Sequence, residues 1–140
     1  MTISTMIDSN VLIDILGPAS LPSRAWSVDA LEACYDAGPI VFSALVWSEL
    51  AHPQIAESEL VEVFAWLKPR REEFPYRAAY RAGLAHFRYR QRGGERQRTL
   101  PDFLIGAHAQ LGGHRLLTRD AARYRSYFPD LEIISPDTHP

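Results

Sequence analysis

Two acidic residues fall where a folded chain rarely accepts a carboxylate. Asp8 lies inside the largely apolar run MIDSNVLIDIL (Met6–Leu16), which is typical of a buried strand that continues into a helical turn. Glu49 shares a helical stripe with Leu45 and Val46, so the pattern turns it toward the core. Burial of a charge without a partner costs several kcal/mol, so each of these acids needs a reason to be there.

Two further acids occupy comparable positions. Asp120 follows the apolar LLT (Leu116–Thr118), at the carboxyl end of a predicted strand. Asp102 shares a helical stripe with Ile105 and Gly106, a face small enough to pack closely. Because ligands of open parallel sheets bind beyond the carboxyl ends of the strands, we expect the strand-end acids to meet the inward helical acids there.

Crowded carboxylates repel one another, and a bound cation relieves that repulsion. The chain has one cysteine, Cys34, and its histidines show no ligand spacing, so the available donors are oxygen atoms. Oxygen donors favour Mg²⁺ or Mn²⁺ over zinc. Several acids around such ions are typical of sites that cleave phosphodiester bonds. The sequence therefore predicts a metal site formed by Asp8, Glu49, Asp102 and Asp120.

Each acid also has a structural alternative. Asp102 and Asp120 stand near predicted helix starts, where a carboxylate complements the helix dipole. Glu49 could reach around its helix to solvent, and Asp14 is predicted to be a solvated or turn residue. Only the joint placement of the acids favours metal binding over these alternatives.

Short apolar strands alternate with amphipathic helices along the chain, which predicts an α/β fold with a parallel sheet covered on both faces. The predicted strands are residues 2–7, 39–43, 114–118 and 131–135, with a short extended piece at 72–76. The predicted helices are residues 25–37, 44–51, 58–67, 77–91, 101–111 and 121–127. Ser43 is available as an N-cap, and Pro69 is predicted to end the helix over 58–67.

The composition suits one compact domain. The chain has 140 residues, of which 46% are hydrophobic, and no apolar run approaches the ~20 residues of a membrane span. The N-terminus lacks the features of a signal peptide, so we expect a cytoplasmic protein. Residues 1–62 carry a net charge of −8 and residues 63–140 a net charge of +6, which predicts opposed surface patches unless folding mixes the two halves.

Four motifs resemble those of a known family. The segments MIDSNVLIDIL, SALVWSELA, LPDFLIGAHA and LLTRDAARYRSYFP are similar, in order and spacing, to the motifs of PIN-domain ribonucleases, and more narrowly to those of the VapC-type toxins of type II toxin–antitoxin systems. The resemblance covers nearly the whole chain. It implies a PIN-like three-layer α/β/α fold, with a central mostly parallel sheet flanked by helices, in a single domain over residues 1–140.

The resemblance also implies an activity and assigns roles to residues. The activity is metal-dependent endoribonucleolytic cleavage of RNA, with Mg²⁺ or Mn²⁺ as cofactor. The four acids named above match the catalytic and metal-binding positions of the family. Ser9, Asn10 and Thr118 match polar positions that orient the metal, water or an acid.

The partners that the resemblance implies are an RNA substrate, a VapB-type antitoxin and a second copy of the chain. Transfer RNA and ribosomal RNA are candidate substrates. For the homodimer we predict contacts through Ala56–Leu67 and part of Ala25–Ala37. Trp26 and Trp66 in these segments exceed what one small core easily absorbs.

Arginines cluster before the third acid. The run RYRQRGGERQR (Arg88–Arg98) contains five arginines and one glutamate. We interpret Arg96, Arg98 and the later Arg119 as candidates for contact with the RNA backbone. The structural alternative is a solvated helix end whose arginines complement the helix dipole.

The sequence leaves two functions open. An intact set of four acids favours the enzyme, because inward carboxylates repel phosphate and give a pure RNA binder no advantage. The alternative is a catalytically silent PIN-like module that binds RNA or a protein. A neighbouring gene for a small DNA-binding protein would favour the toxin–antitoxin interpretation.

Overall fold

The protein is built on a parallel β-sheet, seen in a computed structural model that describes residues 2–93 and 99–140. The strands are β1 (Thr5–Ile7), β2 (Ile40–Ser43), β3 (Arg70–Glu72), β4 (Arg115–Leu117) and β5 (Ile133–Ile134). Their spatial order is β3-β2-β1-β4-β5, and each neighbouring pair is parallel. The predicted α/β class with a parallel sheet is therefore confirmed.

Helices flank this sheet. They are α1 (Ser9–Leu16), α2 (Arg24–Ala37), α3 (Ala44–Glu49), α4 (Glu57–Val63), α5 (Tyr76–Gln91), α6 (Leu100–Leu111) and α7 (Ala122–Arg125). Within the described ranges, none of them combines the length and the apolar character that crossing a membrane requires. Most boundaries agree with the predicted elements to within a few residues.

The central strands are buried on both faces, as expected for strands covered by helices. The four residues of β2 are all buried, and Met6 and Ile7 of β1 are fully inaccessible. Ser43 ends β2 and caps α3, because its hydroxyl accepts a hydrogen bond from the Leu45 amide at 3.2 Å. The predicted N-cap is thus confirmed.

Three elements differ from the prediction. Residues 9–16, expected only as a helical turn after the first strand, form the helix α1. Only a short extended piece was expected, at 72–76, whereas the structure has a strand slightly earlier, β3. Its exposed Arg70 and Arg71 lack the apolar pattern of a strand and place charge on the sheet edge. The helix predicted over 58–67 ends at Val63, and a 3₁₀ turn follows over Ala65–Leu67. The tighter turn lets Phe64 and Leu67, three residues apart, both enter the core.

The strand order places a ligand crevice next to β1. The chain proceeds outward from β1 to β2 and β3, and then crosses back through α5 and α6 to β4 on the other side of β1. Such a reversal of strand order opens a crevice at the carboxyl ends of the two strands involved. Residues that follow β1 and β4, such as Asp8 and Thr118, therefore lie together at this crevice, hereafter the pocket.

A buried polar cluster ties the edge strand β3 to α6. Glu72 Oε1 lies 3.1 Å from Nε2 of His108 and 2.9 Å from Nε2 of His114. His114 Nδ1 lies 2.6 Å from the hydroxyl of Ser4. Burial lowers the pKa of His108 and outweighs the opposing effect of Glu72. Partial burial of Glu72 is outweighed by its contacts with His114 and His108, which lower its pKa.

Acidification is expected to destabilise the protein through this cluster. Because the pKa values of Glu72 and His108 are both lower in the folded chain, the unfolded chain takes up protons first as the pH falls. The free energy of unfolding should therefore decrease below pH of about 6.5, where an unfolded histidine titrates, and again below about 4.3, where an unfolded glutamate titrates. Urea denaturation at a series of pH values measures this dependence.

The variant His108→Gln isolates the histidine contribution. It removes the titrating ring at a buried site. The free energy of unfolding of this variant should therefore change less with pH between about pH 5 and pH 7 than that of the wild type. His52→Gln, at an exposed histidine, is the matched control and should keep the wild-type dependence. Equal slopes for His108→Gln and the wild type would show that another group is responsible.

Candidate active site

Asp8 is the most deeply buried of the four predicted acids. It follows β1, begins α1 as its N-cap and is 3% exposed. Its Oδ1 accepts a hydrogen bond from the Ser9 amide at 2.8 Å. Its Oδ2 accepts two more, from the Thr118 hydroxyl at 2.9 Å and from the Tyr124 hydroxyl at 2.8 Å. The carboxylate is therefore held in one orientation by donors from three parts of the chain.

The ionised form of Asp8 is costly despite these donors. Burial raises its pKa, the hydrogen bonds from Tyr124, Thr118 and Ser9 oppose that rise, and the charge of Asp102 adds to it. The net effect is a pKa above the ordinary range. A cation beside Asp8 would lower the free energy of the ionised form, which is the property expected of a metal-binding carboxylate.

Thr118 is oriented by its own network. Its Oγ1 accepts hydrogen bonds from Asn10 Nδ2 at 3.2 Å and from the Asp120 amide at 3.0 Å, so its own proton is directed to Asp8. Asn10 Oδ1 in turn accepts from the Arg119 amide at 3.1 Å. The structure thus places Asn10 and Thr118, both predicted as orienting residues, in direct support of the first acid.

Glu49 stands at the open side of the pocket. Its side chain is exposed rather than turned into the core, so the burial predicted from its stripe is wrong. The helix α3 ends at this residue, and a side chain in a last turn is free to lean outward. Even so, desolvation and the charges of Asp8 and Asp102 raise its pKa, while a hydrogen bond with Ser9 opposes the rise. Glu49 is therefore an exposed acid within electrostatic range of Asp8 and Asp102.

Asp102 and Asp120 are linked by an arginine. Asp102 lies in the first turn of α6, where its Oδ2 accepts hydrogen bonds from the amide of Thr99 at 3.0 Å and from its hydroxyl at 3.3 Å. Its Oδ1 lies 3.7 Å from Arg123 Nη1. Arg123 Nε lies 2.7 Å from Asp120 Oδ2. Asp102 therefore has both the helix-capping contact of the structural alternative, through Oδ2, and an ion pair with Arg123, through Oδ1.

The four predicted acids meet at one edge of the sheet without forming a closed metal centre. The charge of Asp102 raises the pKa of Asp8, and the charges of Asp8 and Asp102 raise the pKa of Glu49, while Asp120 is linked to Asp102 through Arg123. In residues 2–93 and 99–140, no three acidic, histidine or cysteine side chains already stand in a metal-binding arrangement. Each acid keeps its own hydrogen bonds or ion pair.

Sequence reasoning missed two residues of the pocket, Tyr124 and Arg123. Tyr124 is fully buried, and burial together with the charge of Asp8 raises its pKa well above the ordinary value, so its hydroxyl remains a donor. Burial opposes the charge of Arg123, but Asp102 and Asp120 outweigh it and raise its pKa. Arg123 lies three positions after Asp120 and Tyr124 four, at the start of α7, and the Arg123 amide donates to the Asp120 carbonyl at 3.3 Å.

Asp14 is not the solvated residue that the sequence predicted. It is 2% exposed, and its Oδ2 accepts a hydrogen bond from the Ser27 hydroxyl at 2.6 Å. The guanidinium of Arg119 lies 2.6 Å from the same oxygen and reaches Oδ1 at 3.2 Å. A cation from a distant part of the chain, which local sequence cannot reveal, makes burial of this acid possible.

Of the three arginines predicted to contact RNA, the structure describes one, Arg119. Arg96 and Arg98 lie outside the described residues. Arg119 is about one-third exposed, and its guanidinium is bound to Asp14, so it serves the fold at the pocket wall. Among the described residues, Arg123 is an arginine that does contact the predicted acids, Asp102 and Asp120.

Comparison with known protein families identifies the fold. The family model described as PIN domain matches residues 5–128, from β1 to the end of the segment that carries Tyr124. This chain belongs to the PIN-domain family. PIN domains are generally nucleases, and they typically bind divalent metals. Comparison with curated proteins found no significant sequence match.

Solved structures similar to this PIN domain are toxin–antitoxin proteins. VapBC2 of Rickettsia felis, bound to a promoter DNA fragment, shares 18% identity and a TM-score of 0.70, covering 95% of this chain and 98% of the other. A toxin–antitoxin complex from Klebsiella pneumoniae shares 23% identity and a TM-score of 0.67, covering 94% and 97%. FitAcB of Neisseria gonorrhoeae shares 20% identity and a TM-score of 0.66, covering 97% and 99%. At these identities the likeness shows the fold.

The residues of the PIN domain fit a hard divalent cation. All four donors are carboxylates, which Mg²⁺ and Mn²⁺ prefer. Two of them, Asp8 and Glu49, have raised pKa values in the structure, partly because of neighbouring acids. The guanidinium of Arg123 already lies against two of the acids, which shows that the pocket accepts positive charge.

Proposed function

We propose that this PIN domain is a metal-dependent endoribonuclease and acts as the toxin of a VapBC-type toxin–antitoxin pair. The observation that carries the proposal is the buried Asp8 carboxylate, held by three hydrogen bonds at the carboxyl end of β1 with its pKa raised by burial and by Asp102. An acid kept there at such cost is explained by a cation that it binds.

Two groups of side chains serve the site: those that would bind the ion and those that orient the binding residues. Asp8, Glu49, Asp102 and Asp120 would hold Mg²⁺ or Mn²⁺. Bound there, the cation supplies electrostatic stabilisation of the charge that develops on the phosphodiester during cleavage. Thr118 and Tyr124 keep Asp8 in a single orientation, and Asn10 keeps Thr118 in position. This support limits the side-chain motion that would misplace the reacting groups.

Incubation of the purified protein with total bacterial RNA and Mn²⁺ tests the activity. We expect discrete RNA fragments from the wild type and none from Asp102→Asn, since the amide loses the charge of one predicted metal ligand. Filter retention of the same RNA measures binding separately. Retention of RNA by the wild type without any cleavage would support the alternative, a silent RNA-binding module.

An antitoxin is the partner that we propose for the pocket. The structural neighbours described above are toxin–antitoxin complexes. A carboxylate pocket also attracts a basic side chain, and arginine binds carboxylates through a two-pronged contact. We expect the chain to co-purify with the product of a neighbouring small gene, and that product to suppress RNA cleavage. Cleavage that is unaffected by it would contradict the pairing.

We also propose that the chain forms a homodimer. In the segment predicted for this contact, Trp66 is 43% exposed and packs on Tyr35, whereas the Trp26 indole donates to the His139 carbonyl at 2.7 Å. Further exposed aromatic side chains lie on α5, with Tyr76 93% and Tyr80 74% exposed. Exposed apolar groups of this kind favour association. Light scattering that shows only monomer at high protein concentration would oppose this proposal.

A further inference from the structure

Arg123 forms ion pairs with two of the four predicted metal ligands. It lies in the short helix α7, with Nε 2.7 Å from Asp120 Oδ2 and Nη1 3.7 Å from Asp102 Oδ1. Within residues 2–93 and 99–140, both ion pairs of Arg123 are thus with predicted metal ligands. The side chains of Asp102 and Asp120 are 10% and 41% exposed, so the arginine links an inner acid to an outer one.

The contact at Asp102 limits how that acid can bind anything else. Its Oδ2 already accepts two hydrogen bonds from Thr99 at the start of α6. Its Oδ1 is the oxygen that Arg123 approaches, with Nη1 3.7 Å away. A divalent cation that uses Asp102 Oδ1 and Asp120 Oδ2 must therefore compete with this guanidinium.

The competition is reversible because the Arg123 side chain is partly exposed to solvent. Its side chain is 46% exposed, so the guanidinium can leave the acids and be hydrated. An ion pair that water reaches is weak because solvent screens it, so a divalent cation among several carboxylates readily exceeds it. In the metal-free protein, the same guanidinium reduces the repulsion between the acids.

We propose that Arg123 is the built-in counter-ion of the acidic pocket and that a divalent cation must displace it to bind. The inference rests on the proposed metal-dependent function and adds a residue that sets the metal requirement. With the guanidinium in place, the metal-free pocket is stabilised and the threshold concentration of metal is raised. Without it, the acids repel one another more strongly and bind a cation more tightly.

The variant Arg123→Gln tests the proposal through metal binding, without any assay of activity. Mn²⁺ titration by calorimetry should show a Kd about tenfold lower for Arg123→Gln than for the wild type, since two ion pairs no longer compete. Arg125→Gln is the matched control. It removes the same charge from the same helix, but its partner is Asp137 at 2.8 Å, outside the pocket, so its Kd should stay at the wild-type value.

The possible results separate the inference from the proposed function. Equal Kd values for the wild type and Arg123→Gln, or weaker binding by the variant, would overturn the role of Arg123 alone. Equal tightening in Arg125→Gln would overturn it as well, because the effect would then come from net charge. Binding by neither protein would refute the metal site itself. Arg123→Lys keeps a positive charge but loses the two-pronged contact, so its Kd for Mn²⁺ should lie between those of the wild type and Arg123→Gln.

Discussion

Replacement of Asp8 by asparagine is expected to reduce RNA cleavage on the order of 1,000-fold, because a direct contact to the metal supplies several kcal/mol of transition-state stabilisation. The substitution keeps the size of the side chain and removes the charge that the pocket is built around. Comparison of initial cleavage rates at saturating Mn²⁺ gives the size of the loss. Near-normal turnover in Asp8→Asn would show that another acid is the principal ligand.

The fold should survive this change. In Asp8→Asn, the side-chain oxygen can still accept the hydrogen bond from the Ser9 backbone amide. The side-chain NH₂ group, however, takes the place of Oδ2 and faces the donor hydroxyls of Thr118 and Tyr124. We therefore expect the free energy of unfolding to fall by no more than about 2 kcal/mol. Asp36→Asn, at an exposed acid of α2, is the control and should leave both activity and stability unchanged. Loss of structure in Asp8→Asn alone would mean that the carboxylate serves mainly to hold the fold.

Replacement of Tyr124 by phenylalanine is expected to reduce cleavage by about 10- to 100-fold, as is usual when a residue that orients a metal ligand is lost. The ring keeps its packing in the core, and only the hydroxyl that donates to Asp8 Oδ2 is removed. Because Thr118 still donates to the same oxygen, the loss should be smaller than in Asp8→Asn. Cleavage rate and Mn²⁺ affinity are the two measurements.

Tyr80→Phe provides the comparison for this variant. Tyr80 is 74% exposed on α5, so removal of its hydroxyl should change neither measurement. Full cleavage and full Mn²⁺ affinity in Tyr124→Phe would show that Thr118 and the Ser9 amide suffice to orient Asp8. In that case the buried tyrosine would serve only the packing of α7.

The parts of the fold that local signals specify could be predicted from the sequence. The buried runs that form β1 and β2 are apolar on both faces, and Ser43 carries the chemistry of an N-cap. The edge strand β3 consists of two exposed arginines and Glu72, and its pairing with β2 decides its structure. The three residues of β3 show no alternation of apolar and polar side chains from which that pairing could be predicted.

The site was predictable as a set of acids and not as a network. The apolar surroundings of Asp8 and the strand end before Asp120 indicated the pocket, because both features follow from residues close in sequence. Burial of Asp14 depends on Arg119, 105 residues away, and orientation of Asp8 depends on Tyr124, 116 residues away. Such partners become neighbours only through the strand order, which places β4 beside β1.

Removal and restoration of metal test the central claim most directly. The protein is treated with EDTA, dialysed, and assayed for RNA cleavage before and after addition of Mn²⁺ or Mg²⁺. If the four acids hold a catalytic cation, cleavage should fall by at least about 100-fold and return when the ion is added. Cleavage that continues undiminished after metal removal would contradict the account.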